Sequence, residues 1–217
     1  MILTLDQWQR TIKPVNDLIV QASSKDAQDT WTTWPIGMSW RFVESYKGDP
    51  ILQLGKHDKL VMSAISASTD TRRRPSGLNR YSIVNTLSAN GIHNNTIHHL
   101  EYFTTLTSYK FVISPEGNGI DCHRHYEALF AGCIPVIERN SLTEEKYKGC
   151  PILWTTDYSE ITPEYLEKKY EEMRFSLYDF SCLFLSNHDK DTQALIKDAG
   201  NYWLKKVKET SWCVWYK

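Results

Sequence analysis

Residues 111–137 read FVISPEGNGIDCHRHYEALFAGCIPVI, and this stretch decides the fold. An apolar run begins it and a loop with two glycines follows. A helical pattern then extends from about Cys122 to Ala131, and Gly132 ends the helix before a second apolar run. Apolar runs without alternating polar residues are typical of strands that are buried on both faces. A buried strand, a helix and another buried strand in this order indicate a parallel sheet.

The alternation of strands and helices continues on both sides of this stretch. Apolar runs predict four strands, over 60–65, 111–114, 134–137 and 152–155. Outside the quoted stretch, helical patterns predict helices over 80–89, 97–107 and 192–207, and one that begins at Pro163 with Thr162 as its N-cap. We therefore expect an α/β fold, in which a Rossmann-like parallel sheet carries helices on both faces.

Two parts of the chain are predicted from this pattern. Residues 59–217 are expected to form the Rossmann-like domain that binds the ligand. Residues 1–58, where Trp8, Ile12, Val15, Leu18 and Ile19 recur at roughly helical spacing, are expected to form a mostly helical extension beside it.

Composition excludes several classes of protein. The 217 residues are 41% hydrophobic and carry a formal net charge of −1, which argues against global disorder and against non-specific binding to nucleic acid or anionic membranes. The five cysteines are scattered, as expected of free thiols in a reducing compartment. No signal-peptide pattern or membrane span is visible in the sequence, so we expect a cytoplasmic or otherwise soluble intracellular protein.

Two loops carry unusual chemistry to the edge of the predicted sheet where ligands bind, beyond the carboxyl ends of the strands. We call residues 72–80 the arginine loop and residues 114–124 the glycine loop. Gly117 and Gly119 allow the backbone to approach a ligand closely, and the helix that follows offers unpaired N–H groups and a partial positive charge. The glycine loop is therefore predicted to bind an anion.

Charged side chains near these loops have two interpretations. Arg124, in the first helical turn, could bind a phosphate, and Glu127 on the same helix face could accept hydrogen bonds from ribose hydroxyls. Their spacing fits an ion pair at a solvated helix end equally well. Arg72, Arg74 and Arg80 could bind a diphosphate, but a run of charges is also typical of a solvated loop. Of the arginines in the arginine loop, Arg80, at the start of a helix, is the best placed to bind a diphosphate.

Residues 111–137 resemble the donor-binding segment of exostosin-type glycosyltransferases and are similar to the corresponding segment of the α1,3-fucosyltransferases. The shared features are an apolar strand, a loop containing Glu, a helix with a basic residue, and a small-Gly-x-x-Pro-Val sequence before the next strand. The resemblance extends over roughly 59–207. It implies the C-terminal donor-binding domain of a GT-B glycosyltransferase, a nucleotide-diphosphate sugar as the donor, inversion at the anomeric carbon, and no cofactor or essential metal.

The resemblance also implies roles for individual residues. Arg80 and Arg124 would hold the diphosphate, Glu116 would lie at the donor sugar or ribose, and Glu127 would bind the ribose. The loop residues Gly117, Asn118 and Gly119 would line the donor site.

The acceptor, a glycan, a protein or a small molecule, has no predicted site. Residues 1–58 are too few for a second Rossmann-like domain, so the acceptor part is reduced, is supplied by a second chain or is missing. A non-catalytic subunit that binds a nucleotide sugar is therefore the alternative function. A module that binds RNA or polyphosphate through the arginine loop is disfavoured by the balanced charge.

An inverting transfer needs a general base, and Asp70, Asp121 and His123 are the candidates. Histidine suits proton transfer near neutral pH. The helix N-terminus, however, lowers the basicity of both His123 and Asp121. Because it stabilises anionic Asp121, it favours a role as the N-cap for that residue, and Asp70 could instead pair with Arg72 or Arg73.

No metal site is predicted. His93, His98 and His99 have no Cys or carboxylate at ligand spacing, and Asp189 in the Asp-Lys-Asp sequence is better interpreted as a helix N-cap.

Overall fold

A computed structural model describes residues 1–11, 13–23, 35–42, 51–52, 55–99 and 101–208 of the protein. The strands of these residues are β1 (Ile2–Thr4), β2 (Lys13–Pro14), β3 (Ile51–Leu52), β4 (Lys59–Met62), β5 (Tyr109–Ile113), β6 (Ile134–Glu138), β7 (Leu153–Thr155) and β8 (Leu177–Asp179). The helices are α1 (Leu5–Arg10), α2 (Arg80–Ala89), α3 (Tyr102–Leu106), α4 (His123–Phe130), α5 (Ser141–Lys146), α6 (Pro163–Met173) and α7 (Lys190–Lys208).

The centre of the fold is a four-stranded sheet in the order β4-β5-β6-β7, in which every neighbouring pair is parallel. Phe111 of β5 is opposite Val61 on one side and Ile134 on the other. The four predicted strands are therefore confirmed; most of their bounds differ by one or two residues, and the largest change is at the end of the first strand. The first ends at Met62 instead of residue 65, because the chain leaves the sheet there towards the arginine loop.

Helices flank this sheet, as predicted for an α/β protein. Successive side chains of a strand point to opposite faces. Val112 packs in one cluster with Leu106 of α3 and Ala128 of α4, whereas the ring of its neighbour Phe111 contacts Tyr170 of α6 at 6.1 Å between ring centroids. In the described ranges, no helix is both long enough and apolar enough to cross a membrane.

Local capping explains where the helices begin. Asn79 caps α2, which has the predicted bounds, and Thr162 accepts a hydrogen bond of 3.2 Å from the N–H of Tyr165 at the start of α6. Asp189 accepts from the N–H of Thr192 at 2.9 Å, which confirms its capping role.

The helix predicted over 97–107 is wrong for residues 97–99 and 101, because the helix that the structure describes there spans Tyr102–Leu106. The segment before it instead lies along the end of β4. The Asn94 side chain accepts hydrogen bonds from Ser63 and Ile65, and the Asn95 N–H donates to the carbonyl of Ser63. These bonds hold the chain extended just before the residues where the apolar spacing predicted a helix.

The mostly helical extension predicted for residues 1–58 is wrong where the structure describes it. Helix is limited to α1 and a short turn at 40–42. β1 pairs antiparallel with β8, and Ile19 donates from its N–H to the carbonyl of Leu183 at 3.0 Å. Leu18 and Ile19, which the spacing placed in a helix, thus lie in an extended segment; both are buried, and their backbone pairs with residues from far along the chain.

Trp8 of α1 joins this N-terminal segment to the sheet domain. Its ring stacks on Phe180 at 4.2 Å, and its indole Nε1–H donates to the carbonyl of Leu129 in α4 at 2.8 Å. Because α4 also packs on the sheet through Ala128, it is enclosed on both sides, and all residues from His125 to Phe130 are buried.

Candidate functional site

A cleft opens where the glycine loop leads into α4, beyond the carboxyl end of β5. We call it the α4 cleft; its volume is about 530 Å³. A neighbouring side cleft of about 460 Å³ shares Ser39, Arg124 and Glu127 with it. Eight predicted site residues line the α4 cleft: Arg80, Gly117, Asn118, Gly119, Asp121, His123, Arg124 and Glu127. Four others, Asp70, Arg72, Arg74 and Glu116, lie off both walls as far as the described residues show.

The N-terminus of α4 faces this cleft without a side-chain cap from the described residues. Its N-cap is Cys122, not Asp121 as predicted, and the Cys122 thiol points to the carbonyls of Pro115 and Gly119 at 3.7 and 3.8 Å. The first N–H groups of a helix have no partner inside the helix, and they carry the positive end of its dipole. The geometry therefore suits an anion at this position.

Arg124 adds a full positive charge to this wall. Its Nη2 donates to the carbonyl of Ala64 at 2.7 Å, while Nη1 is buried and has no hydrogen-bond partner among the described residues. Burial lowers the pKa of Arg124, but nearby Tyr102 and Glu127 raise it by more, so the guanidinium stays charged. The guanidinium lies deep in the wall although the residue as a whole is only half-buried.

Glu127 and Tyr102 surround this guanidinium without neutralising it directly. The described residues contain no Arg124–Glu127 ion pair within 4.0 Å; one oxygen of Glu127 instead accepts from the N–H of Ser39 at 3.3 Å. The Tyr102 hydroxyl in the side cleft is also buried without a partner among the described residues. Burial raises the pKa of Tyr102, which keeps this hydroxyl neutral and able to donate.

His123 is held by the N-terminal segment. Its Nδ1 lies 2.8 Å from the carbonyl of Gly37, and since a carbonyl only accepts, Nδ1 carries the proton. Nε2 is then the basic nitrogen, 3.4 Å from the amide nitrogen of Gln21. Gly37 has φ +68°, and a Cβ there would lie 2.2 Å from the carbonyl oxygen of Ile19, so this approach to His123 requires glycine.

The carboxylate of Asp121 is occupied by hydrogen bonds, although the residue lines the cleft. Its carboxylate accepts hydrogen bonds from Lys146 and Tyr147, each at 2.5 Å, and from Tyr126 at 3.1 Å. Burial raises the pKa of Asp121, but His125 and Lys146 outweigh that effect and hold the pKa well below its usual range. A carboxylate stabilised this strongly is a poor base.

The arginine loop pairs with internal carboxylates. Arg74 binds buried Asp70 through Nε at 2.9 Å and Glu138 through Nη1 at 3.0 Å. Arg73 binds Glu116 at 2.6 Å. Burial lowers the pKa of Arg74, but Glu138 and Asp70 raise it by more. Asp70 thus pairs with Arg74 instead of Arg72 or Arg73.

Arg80 joins the two loops. Its guanidinium donates to the carbonyl of Glu116 at 2.8 Å, to that of Pro115 at 3.0 Å and to the hydroxyl of Thr69 at 2.5 Å. Burial lowers the pKa of Arg80. A Cβ at Gly117 would lie 2.9 Å from Nη2 of Arg80, so this glycine lets the loop pass close to the guanidinium. Arg72, in contrast, is exposed.

Sequence reasoning missed several residues of this site. Glu138 was given no role, although its position at the end of β6 and the arginine loop nearby were both visible in the sequence. Arg73 was not distinguished from its neighbours. Arg41, Asn94 and Tyr102 of the side cleft carried no signal, because distant segments bring them together.

Comparisons with known proteins add no assignment. No family model matches the chain, and no curated protein sequence matches it. The described residues define an α/β protein with a parallel sheet flanked by helices and an anion-compatible cleft at the carboxyl edge. The function of this cleft is therefore argued from its own geometry.

The pairing of Arg74 predicts a loss of stability on its removal. Arg74→Ala leaves Asp70 and Glu138 buried without their main partner, which should lower the free energy of unfolding by at least about 2 kcal/mol. The matched control is exposed Arg72→Ala, which should change it by less than about 0.5 kcal/mol. Urea unfolding measures both, and equal values for the two variants would contradict the pairing.

The low pKa of Asp121 predicts a pH dependence of stability. A depressed folded-state pKa stabilises the protein above the unfolded value of about 4, and this contribution is lost as the pH falls towards the folded-state pKa. Asp121→Asn should therefore be clearly less stable than the wild type at pH 7, and the gap should narrow as the pH falls from about 5 to about 2. Unfolding curves over this range test the idea, and a gap that is independent of pH would count against it.

Proposed function

We propose that the protein binds a nucleotide-diphosphate sugar in the α4 cleft and transfers the sugar to an acceptor with inversion. The observation that carries the proposal is the buried Nη1 of Arg124, which has no hydrogen-bond partner in the described part of the chain and lies beside a helix N-terminus without a side-chain cap there. A buried cation with an unused donor, in the first turn of a helix, favours an anionic ligand such as a diphosphate. The resemblance to exostosin-type enzymes supports the same ligand class.

Other groups on the wall fit the rest of a nucleotide. Glu127, oriented by the N–H of Ser39, offers a carboxylate to the ribose hydroxyls. Gly117 and Gly119 let the backbone approach the diphosphate closely. Arg74 and Glu116, which were predicted to contact the donor, take supporting roles in this proposal because their charges are already paired.

His123 is the proposed general base, since Asp70 and Asp121 are both engaged in buried ion pairs. The carbonyl of Gly37 holds the proton on Nδ1, which leaves Nε2 to accept one. The acceptor hydroxyl oxygen attacks the anomeric carbon, and the bond from that carbon to the diphosphate oxygen breaks. The hydroxyl proton passes to Nε2 of His123, and the nucleoside diphosphate leaves.

A non-catalytic subunit that binds a nucleotide sugar is the second candidate. It is favoured by the position of Gln21, whose amide nitrogen lies 3.4 Å from Nε2 of His123. An acceptor hydroxyl must displace this amide before it can reach the base. If Gln21 keeps its place in the ligand complex, the site binds without turnover.

Arg124 should dominate ligand affinity. Arg124→Ala removes a charge-assisted contact worth about 2–3 kcal/mol, which corresponds to roughly 30- to 150-fold weaker binding. Calorimetry with a panel of nucleoside diphosphates measures the loss, and Arg124→Lys shows how much depends on charge alone. Arg72→Ala serves as the control, because this exposed arginine lies off the cleft. Unchanged affinity in Arg124→Ala would remove Arg124 from the site.

Turnover separates the two candidate functions. A broad panel of sugar nucleotides incubated without an acceptor should show slow hydrolysis if the protein is a transferase. His123→Gln should then lower turnover by roughly 10²- to 10⁴-fold while donor affinity is kept. Binding without any turnover, even with candidate acceptors, would support the non-catalytic subunit. Full turnover in His123→Gln would exclude His123 as the base.

A further inference from the structure

Two cysteines outside the cleft lie in direct contact. The sulfur atoms of Cys150, which precedes β7, and Cys182, in the turn after β8, are 3.3 Å apart. Their segments are fixed beside each other: the N–H of Asp179 donates to the carbonyl of Gly149 at 2.9 Å, and the Cys150 thiol lies 3.4 Å from the carbonyl of Asp179. Both cysteines are half-buried.

We infer that Cys150 and Cys182 form a modification site, a dithiol that closes to a disulfide by exchange with a small disulfide such as oxidised glutathione. This inference is independent of the proposed function. The two sulfur atoms of a disulfide lie about 2 Å apart. Those of Cys150 and Cys182 are 3.3 Å apart, so they need to approach each other by little more than an ångström. The hydrogen-bonded segments on either side hold them in position for that approach.

The other described thiols are poor competitors for this reaction. Burial raises the pKa of both Cys133 and Cys122, that of Cys122 to about 11, so little thiolate forms at neutral pH. Cys133 is fully buried and its sulfur lies 3.2 Å from the carbonyl of Leu106. Cys213 lies outside the described residues and is tested directly below.

The reaction proceeds in two exchange steps. The hydrogen bond with Cys182, together with burial, raises the pKa of the Cys150 thiol, so Cys150 is the second of the two cysteines to react. The sulfur of Cys182, as the thiolate, attacks one sulfur of the glutathione disulfide and expels one glutathione thiolate. Cys150 then loses its proton to the expelled thiolate and attacks Cys182, which expels the second glutathione. The protein dithiol is oxidised by two electrons, and one glutathione disulfide is reduced to two thiols.

The bond would fasten the N-terminal segment to the sheet. Cys182 adjoins Leu183, whose carbonyl accepts from the N–H of Ile19, and β8 before it pairs with β1. Cys150 leads directly into β7 of the central sheet. The disulfide would therefore link the partner strand of β1 to the central sheet by a covalent bond. It would close a loop of the chain that contains β7, α6 and β8.

The full chain incubated with oxidised glutathione tests this inference. Peptide mapping by mass spectrometry without reductant should find a Cys150–Cys182 cross-link that reductant removes. The melting temperature of the oxidised protein should exceed that of the reduced protein by about 5–15 °C. Cys150→Ser and Cys182→Ser should each abolish this shift, and Cys213→Ser should keep it.

Three results would overturn the inference: both thiols stay open to alkylation in excess oxidised glutathione, a stable glutathione adduct forms on Cys182 without closure, or the cross-link joins Cys213. Peptide mapping of the wild type gives each of these results without any variant, so a substitution that fails to fold does not affect the test.

Discussion

The fold depends on the neutralisation of three carboxylates at one edge of the sheet. Asp70, Glu116 and Glu138 are all buried, and an uncompensated buried charge costs several kcal/mol. Arg73 and Arg74 supply the opposite charges, and the guanidinium of Arg80 binds backbone carbonyls of the glycine loop. The loops that leave β4, β5 and β6 can therefore adopt only conformations that keep these pairs together.

This constraint determines the shape of the cleft. Arg80 holds the carbonyls of Pro115 and Glu116, and so fixes the glycine loop just before α4 begins. Behind that loop, α4 is enclosed between Val112 of the sheet and Trp8 of the N-terminal segment. Arg124 at the helix start therefore keeps a donor without a partner among the described residues, whereas Arg73, Arg74 and Arg80 of the arginine loop bind internal groups. Charge and availability for a ligand are different properties, and only the second makes a binding residue.

The parts of the fold that local chemistry controls could be predicted from the sequence. The apolar runs of β5 and β6 require burial on both faces, and Asn79 and Thr162 start their helices through short-range hydrogen bonds. Pairings across the chain could not be predicted in this way. The spacing of Leu18 and Ile19 fits a helix as well as an extended segment, and their partners, Met38 and residues 183–185, lie far along the chain.

The residues of the site also differ in whether their contacts could be predicted from the sequence. Arg124, Glu127 and the glycine loop belong to one continuous stretch, so their association followed from the helix they begin. Arg74 reaches Glu138 at the end of β6, and Asp121 is bound by Lys146 of α5; no spacing rule relates the residues of either pair. Asp121 is an example of a role that the sequence could not predict. Its position at the helix start suggested a cap or a base, but its carboxylate accepts hydrogen bonds from Lys146 in α5 and from Tyr147 at the end of that helix.

The antiparallel pairing of β1 with β8 has a kinetic consequence. Every residue between the two strands must be synthesised before β1 meets its partner, and contacts of such wide sequence separation form slowly because the long loop must first close. The parallel sheet needs only shorter connections and can assemble earlier. Gln21 and Gly37 would then reach His123 last, so a chain could have a native-like sheet for some time before its cleft exists.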